Sequence, residues 1–176
     1  VSVMANGMAE NDLIEDEDDD RYLEFRDQLL DMMIHLAKLI VSDGEGSSKF
    51  IQYRATGAKD EEQARKLVRG ISDSTLVKTA MFGRDPNWGR IICAAGNVGV
   101  NFDYTKADLF MGDQENMIQL LDHGSPVDFD RNYMKKLLRE SHIHVHLKMR
   151  EGEGESVGWG SDISTDYVIF NSAYTT

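Results

Sequence analysis

The sequence predicts an α/β fold in which helices pack in layers on mixed β-sheets. Segments with apolar residues at helical spacing interleave with segments in which apolar and polar residues alternate, so helices and strands follow one another along the chain. The 176 residues are 41% apolar and 28% charged, which is the composition of a globular domain with a hydrophobic core of its own. We therefore predict one domain piece over residues 1–176.

The first residues have the pattern of a strand. Val1 and Val3 alternate with Ser2, and Gly7 ends the run, which predicts a strand and not a signal peptide. Because a domain rarely begins inside a core strand, we expect residues that precede Val1 to belong to the same protein. Residues 10–20 follow with eight acidic side chains and no basic one, which predicts an acidic surface loop.

A long helix, a strand and a second helix are predicted next. Residues 22–41 carry apolar side chains at helical spacing, and Gly44 suits a left-handed cap after them. Residues 49–56 alternate, and Asp60 with Gln63 has the spacing of a capping box. The predicted inward residues are Tyr22, Phe25, Leu29, Met32, Met33, Leu36, Leu39 and Ile40 in the first helix, Ile51, Tyr53 and Ala55 in the strand, and Ala64, Leu67, Val68 and Ile71 in the second helix.

Shorter elements are predicted in the rest of the chain. "STLVKTAMF" and "GRIICAAG" indicate helices, "ADLFMG" and "MIQLLDHG" strands, and "DRNYMKKLLRES" a helix with Tyr133, Met134, Leu137 and Leu138 inward. "HIHVHLKM" indicates a strand, with "SVGWGS" as its hairpin partner across the turn "REGEGES". "STDYVIFNS" has the length of a helix or a strand, and we favour a helix because Ser164 can cap it.

Charge and cysteine content exclude several classes of protein. A net charge of −12 disfavours nucleic acid or an anionic membrane as a partner. No segment approaches the roughly 20 apolar residues that a bilayer crossing requires. The single cysteine, Cys93, cannot form an internal disulfide and fits a reducing compartment; we expect it to be a small buried side chain.

Three histidines alternate in the strand "HIHVHLKM". His142, His144 and His146 share one face of this strand, and a metal site would need three or four ligands that converge. We favour a polar strand face, because the apolar residues that alternate with them indicate a buried opposite face.

Two loops contain more charged and aromatic side chains than a simple turn requires. "DGEG", residues 43–46, supplies two carboxylates and two glycines, of which one glycine would suffice to end a helix. "GRDPNWGR", residues 83–90, places an indole and three charges between two helical pieces. Neither is a complete phosphate-binding loop or dinucleotide fingerprint.

Three blocks taken together resemble a known family. "IVSDGEGSSKFIQYRATGA", "LVKTAMFGRDPNWGRIICAAGNVGVNFD" and "DISTDYVIFNSAYTT" are similar, in this order, to the ornithine acetyltransferases of arginine biosynthesis, also called glutamate N-acetyltransferases. The resemblance covers nearly the whole chain. It implies a sandwich of αββα type, of which this chain is the later part of the beta chain. The fold would then be incomplete without the preceding residues and the alpha chain.

The resemblance also implies an activity. Such enzymes cut themselves before a threonine, which becomes the N-terminal nucleophile of the beta chain, takes acetyl from N-acetylornithine and passes it to glutamate. It implies two alpha and two beta chains, no metal or organic cofactor, and a cytoplasmic location, or the mitochondrial matrix or plastid in a eukaryote. That threonine and the "DTSTND"-like motif after it lie outside these residues, so no catalytic residue is assigned in this chain.

Three substrate contacts transfer from the family to this chain. Glu45 matches the glutamate of "DGEG", and Asn171 and Thr176 match the asparagine and final threonine of "NSAYTT". A carboxylate can pair with a substrate ammonium, and an amide and a hydroxyl can bind a carboxylate or an amide.

The loop "GRDPNWGR" supplies secondary candidates, Arg84, Asn87 and Arg90, at the pocket wall or a chain interface. Two other functions stay open at this point. The chain could be a binding or scaffold subunit of the same fold without activity, or part of a related self-cleaving amide hydrolase.

Overall fold

The computed structural model describes residues 5–173 and contains six α-helices and six strands within them. The mixed α/β class predicted from the sequence is confirmed, whereas the strand predicted at Val1 lies outside the described residues. The elements are α1 (Asp20–Ser42), β1 (Phe50–Ala58), α2 (Glu61–Asp73), α3 (Thr75–Phe82), α4 (Trp88–Gly96), a 3-10 turn (Tyr104–Lys106), β2 (Asp108–Gly112), β3 (Met117–Asp122), β4 (Ser125–Pro126), α5 (Arg131–Leu137), β5 (His142–Lys148), β6 (Gly154–Ser161) and α6 (Thr165–Ala173).

The strands form one mixed sheet in the order β4-β3-β2-β5-β1-β6. β1 and β5 are parallel, and all other neighbouring pairs are antiparallel. The hairpin predicted between β5 and β6 is therefore wrong, because β1 lies between them. The connection crosses the end of β1, where Met149 N–H donates to Thr56 C=O (2.7 Å). Gly57 permits this crossing, since a Cβ there would lie 2.0 Å from the Met149 oxygen.

α2 covers β1 and β6 on one face of the sheet. Asp60 caps this helix by accepting from Gln63 N–H (2.8 Å), and the Gln63 side chain accepts in return from Lys59 N–H (2.7 Å). The predicted capping box is thus present, although its return bond reaches one residue further back than usual. All predicted inward residues of β1 and α2 are buried, namely Ile51, Tyr53, Ala55, Ala64, Leu67, Val68 and Ile71.

The buried stripe predicted for α1 is wrong. The helix itself forms where predicted, but it has no buried residue, and Phe25, Met32 and Ile40 are 55%, 59% and 75% exposed. The chain divides into two compact units, residues 1–40 and 41–176. The described part of the first unit, residues 5–40, contains no other helix or strand that could cover the stripe. Despite its length, α1 is too charged to cross a membrane, and no other helix within residues 5–173 could do so.

Three single-residue predictions are also wrong. Tyr133 is 42% exposed, because it lies about 100° around α5 from the buried Met134. Cys93 is exposed on the outer side of α4, since the flanking positions of that helix face the core. Gly44 does not adopt the left-handed conformation; Gly46 does, with φ 67°.

Candidate functional site

One end of the sheet brings the "DGEG" loop next to the start of α6. β1 begins at Phe50 and its antiparallel neighbour β6 ends at Ser161, and these two residues are paired in register. The residues that precede β1 and those that follow β6 must therefore run side by side. The strand pairing therefore brings loop residues 43–49 next to residues 162–165 at this end of the sheet.

Asp162 fixes the second half of this loop. Its carboxylate is 3% exposed and accepts from the backbone N–H groups of Ser48 (2.7 Å) and Lys49 (3.0 Å), and from the Ser48 hydroxyl. A buried carboxylate is tolerated when several donors satisfy it, and the three donors here meet that condition. Asp162 has no sequence signal of its own, because its partners lie 113 and 114 residues away.

Ser164 fixes the first half of the loop. Its hydroxyl donates to Gly46 C=O and accepts from Tyr167 N–H (3.1 Å), so it caps α6 as predicted and also holds the loop. Gly46 is essential to this contact, since a Cβ there would lie 2.7 Å from the Tyr167 nitrogen.

Glu45 and Asn171 are brought into contact by this arrangement. The Asn171 side-chain amide donates to Glu45 Oε2 (3.0 Å) and to Tyr167 C=O (2.8 Å). Both side chains are exposed, and within residues 5–173 the Glu45 carboxylate forms no salt bridge. A solvent-facing carboxylate beside an amide can bind an ammonium and a neighbouring polar group of a small ligand. The third predicted contact, Thr176, lies outside the described residues, and the binding roles of all three stay predictions.

Lys49 is the last residue of this loop before β1. It is 6% exposed, and its Nζ donates to the carbonyl oxygens of Leu138 (2.8 Å) and Glu140 (3.0 Å) just after α5. Burial lowers the pKa of Lys49, while the charge of Asp162 partly opposes that shift. Lysine near a helix C-terminus satisfies carbonyls that the helix leaves free, so Lys49 anchors the loop to α5.

The loop "GRDPNWGR" connects α3 to α4, and its side chains hold the two helices together. Asn87 caps α4 by accepting from Arg90 N–H (3.1 Å), and Arg90 donates to Leu76 C=O (2.9 Å) on α3. Trp88 is half-buried against the core. Arg84 is exposed and has a φ of 55°, which is uncommon for a residue with a side chain. Of the three secondary candidates, Asn87 and Arg90 thus have evident packing roles.

The histidine face of β5 is polar, and its opposite face is buried, as the alternation predicts. His144 contacts the Gln52 side chain (3.3 Å) and His146 contacts the Thr56 hydroxyl (2.8 Å), both on β1. Burial lowers the pKa of both histidines, so they are mainly neutral near pH 7. These side chains bind across to β1 and do not converge on one another.

A different group of side chains has the spacing of metal ligands. Within the described residues, the ligand atoms of Asp108, Asp122 and His123 lie within 4.8 Å of one another. Both Asp108 oxygens already accept from the Arg150 guanidinium. Because a cation would compete with that guanidinium, Asp108 is a buried structural carboxylate.

Comparison with known proteins gives the family. A model of the ArgJ family matches residues 1–176. The chain belongs to the ArgJ family. The "arginine biosynthesis bifunctional protein ArgJ" of Staphylococcus epidermidis is 42% identical over 176 residues, all of this chain and 43% of that protein. The protein of the same name from Symbiobacterium thermophilum is 42% identical over all of this chain and 42% of its own length. The chain therefore spans less than half the length of these ArgJ relatives.

A solved ArgJ structure has the same fold. The crystal structure of arginine biosynthesis bifunctional protein ArgJ from Bacillus halodurans superimposes with a TM-score of 0.87 at 35% identity. The match covers 98% of this chain and 79% of that one. The predicted membership of this family is thus confirmed by sequence and by structure.

Proposed function

We propose that this chain forms part of an acetyltransferase of arginine biosynthesis, which moves acetyl from N-acetylornithine to glutamate. A threonine on a segment outside these 176 residues attacks the acetyl carbonyl, the C–N bond breaks, and ornithine leaves with the proton. The amine of glutamate then attacks the acetyl-threonine ester, which releases N-acetylglutamate and restores the hydroxyl. No residue of this chain is the nucleophile.

The observation that carries the proposal is the Glu45–Asn171 pair. It places an exposed carboxylate and an amide together at one edge of a fold that belongs to the ArgJ family. Both substrates are amino acids with charged groups, and ornithine has an ammonium that a carboxylate such as Glu45 can bind. Asn171, with Thr176, supplies polar contacts for the remaining groups. The names of the curated relatives support arginine biosynthesis as the setting.

We propose further that the chain works with an alpha chain from the same precursor, as two alpha and two beta chains. Coverage of the relatives supports a two-chain protein. This chain matches 79% of the solved Bacillus halodurans chain but at most 44% of the curated relatives that it matches over its full length, so that solved chain is roughly half as long as they are. A metal or organic cofactor has no part in the proposed transfer.

The test is an assay of the complete protein with N-acetylornithine carrying a radiolabelled acetyl group. We expect label on N-acetylglutamate when glutamate is present, and label on the protein, at an N-terminal threonine, when glutamate is withheld. Intact mass and N-terminal sequencing of every chain identify the cleavage site.

Two outcomes would contradict the proposal. Labelled free acetate whose rate does not depend on glutamate would indicate an amide hydrolase. Stoichiometric binding of N-acetylornithine without acetyl release would indicate a binding subunit.

A further inference from the structure

Ser164 lies where the Glu45 loop and α6 are joined. Its side chain is 4% exposed, and its hydroxyl bonds Gly46 C=O on one side and Tyr167 N–H on the other. A hydroxyl has a single proton to donate, so the bond to Gly46 uses the whole donor capacity of Ser164.

These bonds belong to a closed ring that returns to Glu45. Tyr167 C=O accepts from the Asn171 amide (2.8 Å), and the same amide donates to Glu45 Oε2 (3.0 Å). Glu45 directly precedes Gly46, whose carbonyl accepts from Ser164. The ring thus connects Glu45 to Asn171 in two ways, directly through their side chains and indirectly through the Ser164 hydroxyl, which bonds the backbone next to each of them.

The position of Glu45 depends on Ser164 more than on the other fixed point of the loop. Asp162 holds Ser48 and Lys49, at the end of the loop that enters β1. Glu45 lies at the opposite end, where Ser164 makes the bond to the loop backbone. Gly46 packs closely on α6, since even a Cβ there would lie 2.7 Å from the Tyr167 nitrogen. Without the hydroxyl bond, we expect this part of the loop to separate from α6 and to carry Glu45 with it.

We propose that Ser164 is a positioning residue, which sets the separation between the Glu45 carboxylate and the Asn171 amide and thereby the affinity for amino-acid substrates. This role rests on the acetyl transfer proposed above. It concerns substrate binding and assigns Ser164 no contact with the reacting atoms.

The experiment compares three variants of the complete protein in the transfer assay. Ser164→Ala removes the ring bond and the α6 cap, Ser164→Thr keeps a hydroxyl, and Ser74→Ala removes the equivalent cap of α3, where Ser74 accepts from Val77 N–H. We expect Ser164→Ala to raise KM for N-acetylornithine about tenfold with a smaller change in kcat, since a misplaced binding group weakens productive binding. Ser164→Thr should have a KM close to the wild-type value. Ser74→Ala should lower the melting temperature as Ser164→Ala does and leave KM unchanged.

A second comparison tests whether Ser164 acts through Glu45. In a Glu45→Gln background, Ser164→Ala should raise KM by much less than it does alone, because the group that it positions is already altered. An unchanged KM in Ser164→Ala, a fully additive double variant, or a folded Ser164→Thr with the KM of the alanine variant would overturn the proposal. These outcomes require an active wild-type enzyme, whereas a wild type without acetyl transfer overturns the proposed function and this role with it.

Discussion

At the scale of single residues, Glu45 is the side chain whose charge the proposed activity uses. We expect Glu45→Gln in the complete protein to lower kcat/KM for N-acetylornithine by roughly ten- to a hundredfold, because hydrogen bonds to charged groups contribute about 1.5–3 kcal/mol. Self-cleavage should proceed normally. The glutamine can still accept from Asn171, so the loop should keep its place.

Steady-state kinetics with both substrates check this expectation. Glu153→Gln is the matched control, since Glu153 is an exposed carboxylate in the turn before β6. An unchanged kcat/KM in the Glu45 variant would remove Glu45 from the site.

Tyr53 presents a different residue-scale question. Among the residues that the structure describes, its hydroxyl is the buried side-chain polar atom without a hydrogen-bond partner. Burial, and secondarily the charge of Asp162, raises the pKa of this hydroxyl, so it stays protonated. An unsatisfied buried hydroxyl destabilises a fold, and we expect Tyr53→Phe to keep or raise the free energy of unfolding, by up to about 1 kcal/mol.

Chemical denaturation of the complete protein measures this effect. Tyr133→Phe, at a 42% exposed position, serves as the control that should change nothing. A loss of more than about 1 kcal/mol in Tyr53→Phe would mean that the hydroxyl has a partner in solution, such as a buried water.

Residue-level prediction from the sequence was possible where a local motif carried the information, and the substrate-binding roles assigned in this way stay predictions. The "DGEG" and "NSAYTT" blocks pointed to Glu45 and Asn171, and the structure places the two side chains in contact. Asp162 and Lys49 could not be found in this way, because their partners, mostly backbone atoms, lie 89 to 114 residues away. The partners of Asp162 and Lys49 can be identified only once the pairing of the strands in the sheet is known.

At the scale of elements, the Asp108–Arg150 ion pair joins β2 to the segment after β5. Burial alone would raise the pKa of Asp108, but hydrogen bonds from Arg150 and His123 N–H and the charge of Arg150 outweigh it, so the pKa lies below the usual value. A lowered folded-state pKa stabilises the fold above the unfolded-state pKa, and that contribution is lost as pH falls through the folded-state value.

We therefore expect Asp108→Asn to lower the free energy of unfolding at pH 7 by about 1.5 kcal/mol, the low end for a charged hydrogen bond because Arg150 is 37% exposed. The difference from wild type should shrink as pH falls from about 5 to 3. Urea titrations of both proteins at several pH values measure this difference in the free energy of unfolding. Asp122→Asn, at a 57% exposed carboxylate beside it, should show a smaller loss, and equal losses would argue against a special role for the buried pair.

Element boundaries followed from periodicity, but pairing did not. Every helix and strand predicted within the described residues is present, since spacing and caps are local signals. The partner of β6 was wrong because β5 and β6 are neighbours in sequence, and nothing local shows that β1 lies between them. Burial of α1 was wrong for a similar reason, since an amphipathic pattern reveals an apolar face but not what covers it.

At the scale of the whole molecule, two helices carry apolar side chains that no other part of residues 5–173 buries. Val168, Ile169 and Phe170 of α6 are 53–57% exposed, and α1 has its own exposed stripe. Large apolar patches drive association. We expect residues 1–176 expressed alone to bind a hydrophobic dye and to self-associate, and the assembled protein to do neither.

Sedimentation and dye fluorescence compare the two samples at equal concentration. Co-expression of the remaining part of the protein is the control, and it should abolish both signals. A monomeric isolated chain that melts sharply and binds no dye would contradict this expectation.

The parallel pairing of β1 with β5 has a consequence for synthesis on the ribosome. Gln52 and His144 are in register, yet 92 residues separate them along the chain. β1 therefore leaves the ribosome long before β5 and β6, its neighbours in the sheet, are synthesised. Both of its edges remain unpaired during that time. Contacts between distant segments slow folding, and exposed strand edges invite aggregation in the interval. α2 emerges soon after β1 and packs on it, and α3 and α4 in turn pack on α2. We expect this helical layer to cover one face of β1 before β5 and β6 are synthesised.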